Sequence, residues 1–356
     1  MRIAFDVSPL SHERTGVNNY IRGSLIGLVD AAAGRHEIVC FAPTSPAGAR
    51  TIPEALAGLD VELRTRTLPF AHGWRTAWSR LGRPPAERWL GPFDVLHFQQ
   101  WMTPPQRAGL RSTMVHDLVP LRFPEWTTRR TRAMHRAQYE AAKGCDVVFV
   151  NSEYTGRDVV ERLGVASDRV EVAHPGVDPV FRADGAKADL GRPYVLTVAT
   201  LEPRKNLGAL ADAFRLITGD SVQLVIVGGA GWGPQPKLDV PGVERLGRVD
   251  DVELARLYRG AACVVYPSRF EGFGMPIVEA MACGAPVVAS AHPSMDEAAG
   301  EAAVRADPES PEAIAAGIRQ ALARAGELRE KGIEHARRFT WRAVGETFLS
   351  AWEARL

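Results

Sequence analysis

Residues 266–290 read YPSRFEGFGMPIVEAMACGAPVVAS, and the fold follows from how this stretch is read. An apolar run, Cys263–Ser268, leads into it with strand character, and a glycine-containing loop around Gly272 and Gly274 interrupts the run. A helix opens behind the loop, with Pro276 suited to its first turn and Gly284 to the position just past its end. A second strand-like run, Ala285–Ser290, follows at once, so the stretch is a βαβ unit of a parallel sheet. A helix that starts at a glycine loop behind a parallel strand aims unpaired N–H groups and a partial positive charge at the sheet's carboxyl edge, where an anion such as phosphate fits. Two carboxylates flank that point: Glu271 on the loop and Glu279 about one turn into the helix.

The same alternation extends outward in both directions. Strand candidates in the first half are Arg2–Val7, Glu37–Pro43, Val61–Thr65, Val95–Phe98, Thr113–Asp117 and Val147–Asn151. In the second half they are Tyr194–Thr200, Gln223–Gly228, Val243–Leu246, Cys263–Ser268 and Ala285–Ser290. Continuous apolar runs such as Leu224–Val227 suit strands covered on both faces, which predicts two doubly wound α/β halves. The Pro-, Gly- and Asp-rich stretch Val170–Arg192 breaks both periodicities and reads as a connector, with the hinge near 176–192. Residues 1–175 form one predicted domain and 176–339 the other. A final helix over 340–356 carries Trp341, Val344, Phe348 and Trp352 on one face for docking onto protein.

Composition limits what these halves can do. The chain has 356 residues, enough for two domains, and its 43 basic and 42 acidic residues nearly cancel, which excludes a dominant nucleic-acid-binding role. Only 5 of the basic residues are Lys, so each Lys is informative. The four cysteines, Cys40, Cys145, Cys263 and Cys283, form no C-x-x-C and no pairing with His at ligand spacing, which predicts neither zinc nor a disulfide framework. No window approaches the ~20 apolar residues of a membrane span, and a cytoplasmic protein is expected.

Sugar hydroxyls give the two glutamates beside the anion site a reason, because a carboxylate accepts paired hydrogen bonds from a diol. A cap plus an exposed helix residue explains them equally well. A polyol–diphosphate–polyol ligand, that is a nucleotide sugar, would use both. The turn after Tyr194–Thr200 reads LEPRKNL and delivers Arg204 and Lys205 side by side toward the same sheet edge, a fork and a point charge suited to a diphosphate. A solvated helix cap is the plainer alternative.

These residues resemble the retaining glycosyltransferases of family 4, which have the GT-B fold of two Rossmann-like domains facing a central cleft. The resemblance rests on Glu271 and Glu279 within EGFGMPIVEAMACGAPVVAS and on the upstream Arg204-Lys205. It extends through FDVSPL…GVNNY, VHDLVPLRFPE, VFVNSEYTGRDV, VEVAHPGVD and the FTW-containing final helix. It implies a donor nucleotide sugar on the second domain, an acceptor on the first, and a last helix that crosses back. Residue by residue it implies that Arg204 and Lys205 hold the donor diphosphate and that Glu279 binds the ribose. Glu271 would contact sugar hydroxyls, and backbone around Phe273, Gly274, Met275 and Pro276 would face sugar or phosphate. The base would lie near Arg248 and Val249, Gly16 would approach the diphosphate, and His116 would reach the transferred sugar. Where the family often has two adjacent glycines in the first loop, Thr15 precedes a single Gly16 here.

The resemblance implies retention of anomeric configuration. Arg204, Lys205 and the helix start can stabilise the departing diphosphate in place of a metal, so no metal and no cofactor beyond the donor substrate is expected. No D-x-D stands beside the motif, and Asp250-Asp251 has the wrong spacing. The stretch VHDLVPLRFPEW is similar to bacterial mannosyltransferases of polysaccharide assembly, which makes GDP-mannose the first donor candidate and a UDP-hexose the second. A glycan or lipid-linked acceptor is implied. Residues 61–90 hold six Arg against two Glu with Trp74, Trp78 and Trp89 interleaved, a composition suited to peripheral contact with an anionic inner-membrane surface; inward-packed tryptophans are the alternative. Rival classes fit less well: a GT-B phosphorylase would need a pyridoxal-phosphate lysine, and the second half has few lysines. GGAGWG after Gln223–Gly228 does not fit the G-x-G-x-x-G of an NAD-binding dehydrogenase. A non-catalytic sugar-nucleotide-binding module would not need the full set Arg204, Lys205, Glu271 and Glu279.

Overall fold

A computed structural model describes residues 1–12, 15–99, 102–217, 222–233 and 236–356. By internal packing the chain divides into two units: Met1–Pro124 with Thr128–Gly176 and Thr340–Leu356, and Glu125–Thr127 with Val177–Phe339. The three residues Glu125–Thr127 group with the second unit, which a linear division at residue 175 does not foresee.

Among the described residues each unit is built on one parallel sheet. The first holds β1 (Arg2–Asp6), β2 (Glu37–Thr44), β3 (Glu62–Thr67), β4 (Val95–Phe98), β5 (Leu110–Val115), β6 (Val147–Val150) and β7 (Val170–Val172), in the order β3-β2-β1-β4-β5-β6-β7. The second holds β8 (Tyr194–Val198), β9 (Gln223–Val227), β10 (Val243–Gly247), β11 (Cys263–Tyr266), β12 (Val287–Ser290) and β13 (Ala303–Ala306), in the order β10-β9-β8-β11-β12-β13. The apolar runs behave as strands covered on both faces. Leu196, Val225, Val227 and Val264 enter one core cluster, while their neighbours Val195, Leu224, Ile226 and Val265 enter another. In the second sheet the winding reverses between β8 and β11, so the loops leaving those two strands lie side by side at the carboxyl edge.

Two strands escape the sequence reading. Val170–Val172, assigned to the connector, pairs with β6 as an edge strand. Ala303–Ala306 is four residues long and interrupted by Arg305, so its strand character comes from pairing with β12 rather than from its own pattern. In residues 61–90 the inward-packed alternative holds for one tryptophan. Trp74 and Trp78 do share a face of the helix Ala71–Leu81, but Trp78 is buried, and the large apolar side chains this segment exposes are Phe70 and Leu81.

The final helix, Trp341–Glu353, buries Trp341, Val344, Phe348 and Trp352 in the first unit. Its partner is the helix Gly16–Ala32, and the two backbones meet at glycines. A Cβ on Gly27 would lie 1.7 Å from the Trp341 carbonyl oxygen, and one on Gly345 would lie 2.1 Å from that of Gly27. No side-chain rotation relieves a clash with backbone. We therefore expect Gly345→Val to lower stability by at least ~2 kcal/mol in urea denaturation. Gly326→Ala, in the helix Ala325–Ala336 with open space around it, should be neutral or slightly stabilising.

Candidate functional site

The Arg204-Lys205 turn is held against the segment after β11 by backbone and side chain together. Pro203–Lys205 is a single 3-10 turn, closed by Asn206 in the left-handed region at φ 57°. Asn206 donates through Nδ2 to the carbonyls of Pro267 (3.2 Å) and Pro308 (2.6 Å). The Arg269 amide donates to the Arg204 carbonyl at 2.8 Å. The Arg204-Lys205 pair therefore sits one turn before the helix, which begins only at Leu207.

This docking brings three of the expected residues together. The Arg204 guanidinium donates to Glu271 Oε2, and Lys205 Nζ donates to Glu271 Oε1 at 2.7 Å and to Tyr266 Oη at 2.8 Å. Glu202 completes the group by accepting from Arg204 Nε at 3.0 Å. Lys205 and Glu271 are both more than nine-tenths buried. Burial pushes the Glu271 carboxyl up, but Arg204 and then Lys205 outweigh it and hold its pKa at about 2. Burial and the neighbouring Arg204 push the Lys205 ammonium down, opposed by Glu271 and Glu202. Two cations and two carboxylates thus form a compact, charge-balanced cluster. Glu271, expected to face sugar hydroxyls, has both oxygens engaged by cations, each retaining a further lone pair.

Beside the cluster the helix Met275–Ala282 begins. Gly274 caps it at φ 106°, a conformation that glycine adopts without penalty, and Pro276 lies in the first turn. Phe273 does not face a ligand site with its side chain: the ring is buried and packs edge-on against Phe339 at 5.3 Å, so only its backbone can serve. Glu279 is buried and accepts from Tyr258 Oη at 3.2 Å. Arg248 and Val249 follow β10. Arg248 lies close over Gly229, where an added Cβ would stand 2.6 Å from its Nε, and Val249 packs partly into the core.

The remaining two expected residues belong to the first unit. Gly16 opens the helix Gly16–Ala32 behind the cap Thr15, and a Cβ there would meet nothing within 4 Å, so the fold itself does not demand glycine at this position. His116 lies just past the end of β5 rather than within it. Its ring is buried edge-on against Tyr20 at 5.1 Å, and its Nε2 is buried without a hydrogen-bond partner among the described residues. Burial, helped by His135 and opposed by Asp117, pushes its pKa down to about 4, so the imidazole is neutral near pH 7. Asp117 turns to the next helix turn instead, accepting from the Val119 amide at 2.9 Å.

Sequence reasoning missed Glu202, Tyr266 and Asn206. All three stand inside the stretches it quoted, yet a neutral phenol and an amide carry no charge signal, and Glu202 reads as an ordinary residue before a proline.

Comparison with known proteins places this geometry in context. The family described as Glycosyltransferase Family 4 matches residues 16–181, and Glycosyl transferases group 1 matches residues 183–339. The O-antigen chain mannosyltransferase B of Escherichia coli is 28% identical, covering 99% of this chain and 100% of its own. The D-inositol 3-phosphate glycosyltransferase 1 of Catenulispora acidiphila is 31% identical over 75% of this chain and 73% of its own. Among solved structures, Anabaena Alr3699/HepE in complex with UDP-glucose superposes with a TM-score of 0.69 at 18% identity, covering 99% of this chain and 100% of that one.

The buried cluster makes a pH prediction. Because the Glu271 pKa is depressed, its stabilising contribution is complete above its ordinary value of 4.5 and is lost as pH falls toward about 2. Glu271→Gln should be less stable than the parent at pH 7 by roughly 3 kcal/mol, since it leaves two cations without their shared partner. Denaturant titrations across pH 4.5 to 2 should give a shallower loss of stability for the variant.

Proposed function

The chain belongs to the family 4 glycosyltransferases of the GT-B fold, and on that premise we propose that it moves a hexose, mannose first, from a nucleotide diphosphate sugar to a glycan or lipid-linked acceptor with retention of configuration. The observation that carries this reading is the convergence of Arg204 and Lys205 on Glu271 beside the start of the helix Met275–Ala282. Cleavage of the anomeric C–O bond leaves an additional negative charge on the departing diphosphate. A half-buried guanidinium, a buried ammonium and the helix-start amides meet that charge without reorganising. Glu271 and Glu202 act here as positioning residues: they hold the two cations in place before the donor arrives. Glu279 remains the assigned partner of the ribose, and Arg248 and Val249 flank the base. Gly16 and His116 are the first unit's assigned contributions, the neutral imidazole serving as a hydrogen-bonding group rather than a general base.

With the developing charge neutralised by side chains, no metal is required in this scheme. The acceptor hydroxyl attacks the face the leaving group departs from, and a phosphate oxygen of the donor takes its proton. Mannose as the transferred sugar is supported by the full-length similarity to the Escherichia coli mannosyltransferase, with GDP-mannose as donor and a UDP-hexose as second choice. In a transfer assay, Lys205→Ala should lower kcat by about 10²–10³-fold without loss of folding. In the same assay chelator should leave the parent rate unchanged, and the product should keep the donor's anomeric configuration by NMR. GDP-mannose should raise Tm more than UDP-, ADP- or TDP-sugars. A wild-type rate for the Lys205 variant, or an inverted product, overturns the scheme.

Peripheral membrane contact through residues 61–90 belongs to the same reading. It now rests on the exposed Phe70 and Leu81 with the segment's arginines, because Trp78 is buried. No helix among the described residues is long and apolar enough to cross a membrane. Cosedimentation with anionic liposomes should fall markedly in Phe70→Ser/Leu81→Ser; an unchanged bound fraction removes this contact.

A further inference from the structure

The first unit contains a cavity of about 220 Å³ that the donor chemistry does not use. Trp74, Trp78, Trp89 and the pair Pro84-Pro85 wall it, and the exposed Arg66 and Arg88 complete the lining. The three indoles form one cluster, with ring centroids 5.0 Å apart for Trp74–Trp78 and 6.4 Å for Trp78–Trp89. Trp78 is the buried member, its Nε1 donating to the Pro84 carbonyl at 2.6 Å, whereas Trp74 and Trp89 are half-buried and keep ring surface uncovered.

The charge here is one-sided. Arg66 stands over the Trp74 ring at 5.9 Å, and among the described residues the side chains of Arg66 and Arg88 have no hydrogen-bond or ion-pair partner. The nearby Arg64 is engaged by Glu62 at 2.6 Å and the Leu90 carbonyl at 2.8 Å. Glu87, the segment's other carboxylate, accepts from the amides of Arg107 and Ala108. Both acidic residues of 61–90 are thus committed elsewhere, and two guanidinium forks remain beside an apolar floor.

Flat indole surface packs against the C–H face of a ring, and paired guanidinium groups select a carboxylate or phosphate. The volume is below the roughly 300–1,000 Å³ of sites for drug-sized ligands, which limits the occupant to about one ring. The geometry points to a subsite for a single acidic or phosphorylated pyranose unit of the acceptor glycan, its ring against Trp74 and Trp89 and its anion between Arg66 and Arg88. The role as acceptor subsite rests on the glycosyltransferase reading above; the binding itself does not.

The indoles supply the readout. Glucuronate and mannose 6-phosphate, titrated separately, should quench tryptophan fluorescence saturably, and neutral mannose and glucose should do so at least tenfold more weakly. Arg66→Gln/Arg88→Gln should weaken glucuronate binding about tenfold or more, one charge-assisted hydrogen bond's worth, and erase the preference over mannose. Its thermal midpoint and donor hydrolysis should stay at parent values. Equal quenching by acidic and neutral sugars, quenching by inorganic phosphate alone with the same affinity, or no quenching at tens of millimolar overturns the subsite. Donor hydrolysis without acidic-sugar binding removes the subsite and leaves the transferase reading standing. Acidic-sugar binding without donor hydrolysis removes the transferase reading and supports the cavity's specificity.

Discussion

The carboxylate of Glu271 joins two loops that are 66 residues apart in sequence to Lys205 and meet only because β8 and β11 are neighbours in the sheet. Everything proposed for the second unit depends on that joint. Two cations of like sign placed next to each other in a buried setting repel, and without an acid between them they would separate or one would lose its proton. The glutamate makes their proximity tolerable, and the asparagine-closed turn at Asn206 keeps the geometry from relaxing. Such a cluster is not an efficient source of fold stability, since desolvation cancels much of the attraction. Its value lies in holding charge where a leaving diphosphate needs it.

How much of this was legible in the residues differs from place to place. Long apolar runs such as Leu224–Val227 identify themselves because burial on both faces removes any alternation, and the helix Met275–Ala282 is bracketed by Pro276 and Gly284. Arg204, Lys205 and Glu271 stood out as chemistry because charges in glycine and proline loops have few structural uses. Their mutual contact did not stand out. It is a property of strand order, and no local pattern encodes which loop becomes another's neighbour.

The misreadings have similarly local causes. Val170–Val172 and Ala303–Ala306 are too short to carry a period, and pairing alone makes them strands. Trp74 and Trp78 share a helical face, yet composition cannot say whether that face meets protein or solvent. Phe273 is expected to contribute backbone only, and its ring lies in the core against Phe339. Gly16 is the reverse case: its loop suggested function, and the open space around it leaves packing with no claim on the glycine.

The helix Trp341–Glu353 has a consequence for biosynthesis. Its aromatic face fills the first unit, while the 163 residues Val177–Phe339 between them build another. On the ribosome the first sheet must therefore wait, with the seat for Trp341 and Phe348 uncovered, until the helix Trp341–Glu353 has been translated. A nascent chain stalled anywhere in that interval would display an apolar groove to chaperones and proteases, and a chain terminated before Trp341 would injure a unit translated well before the break.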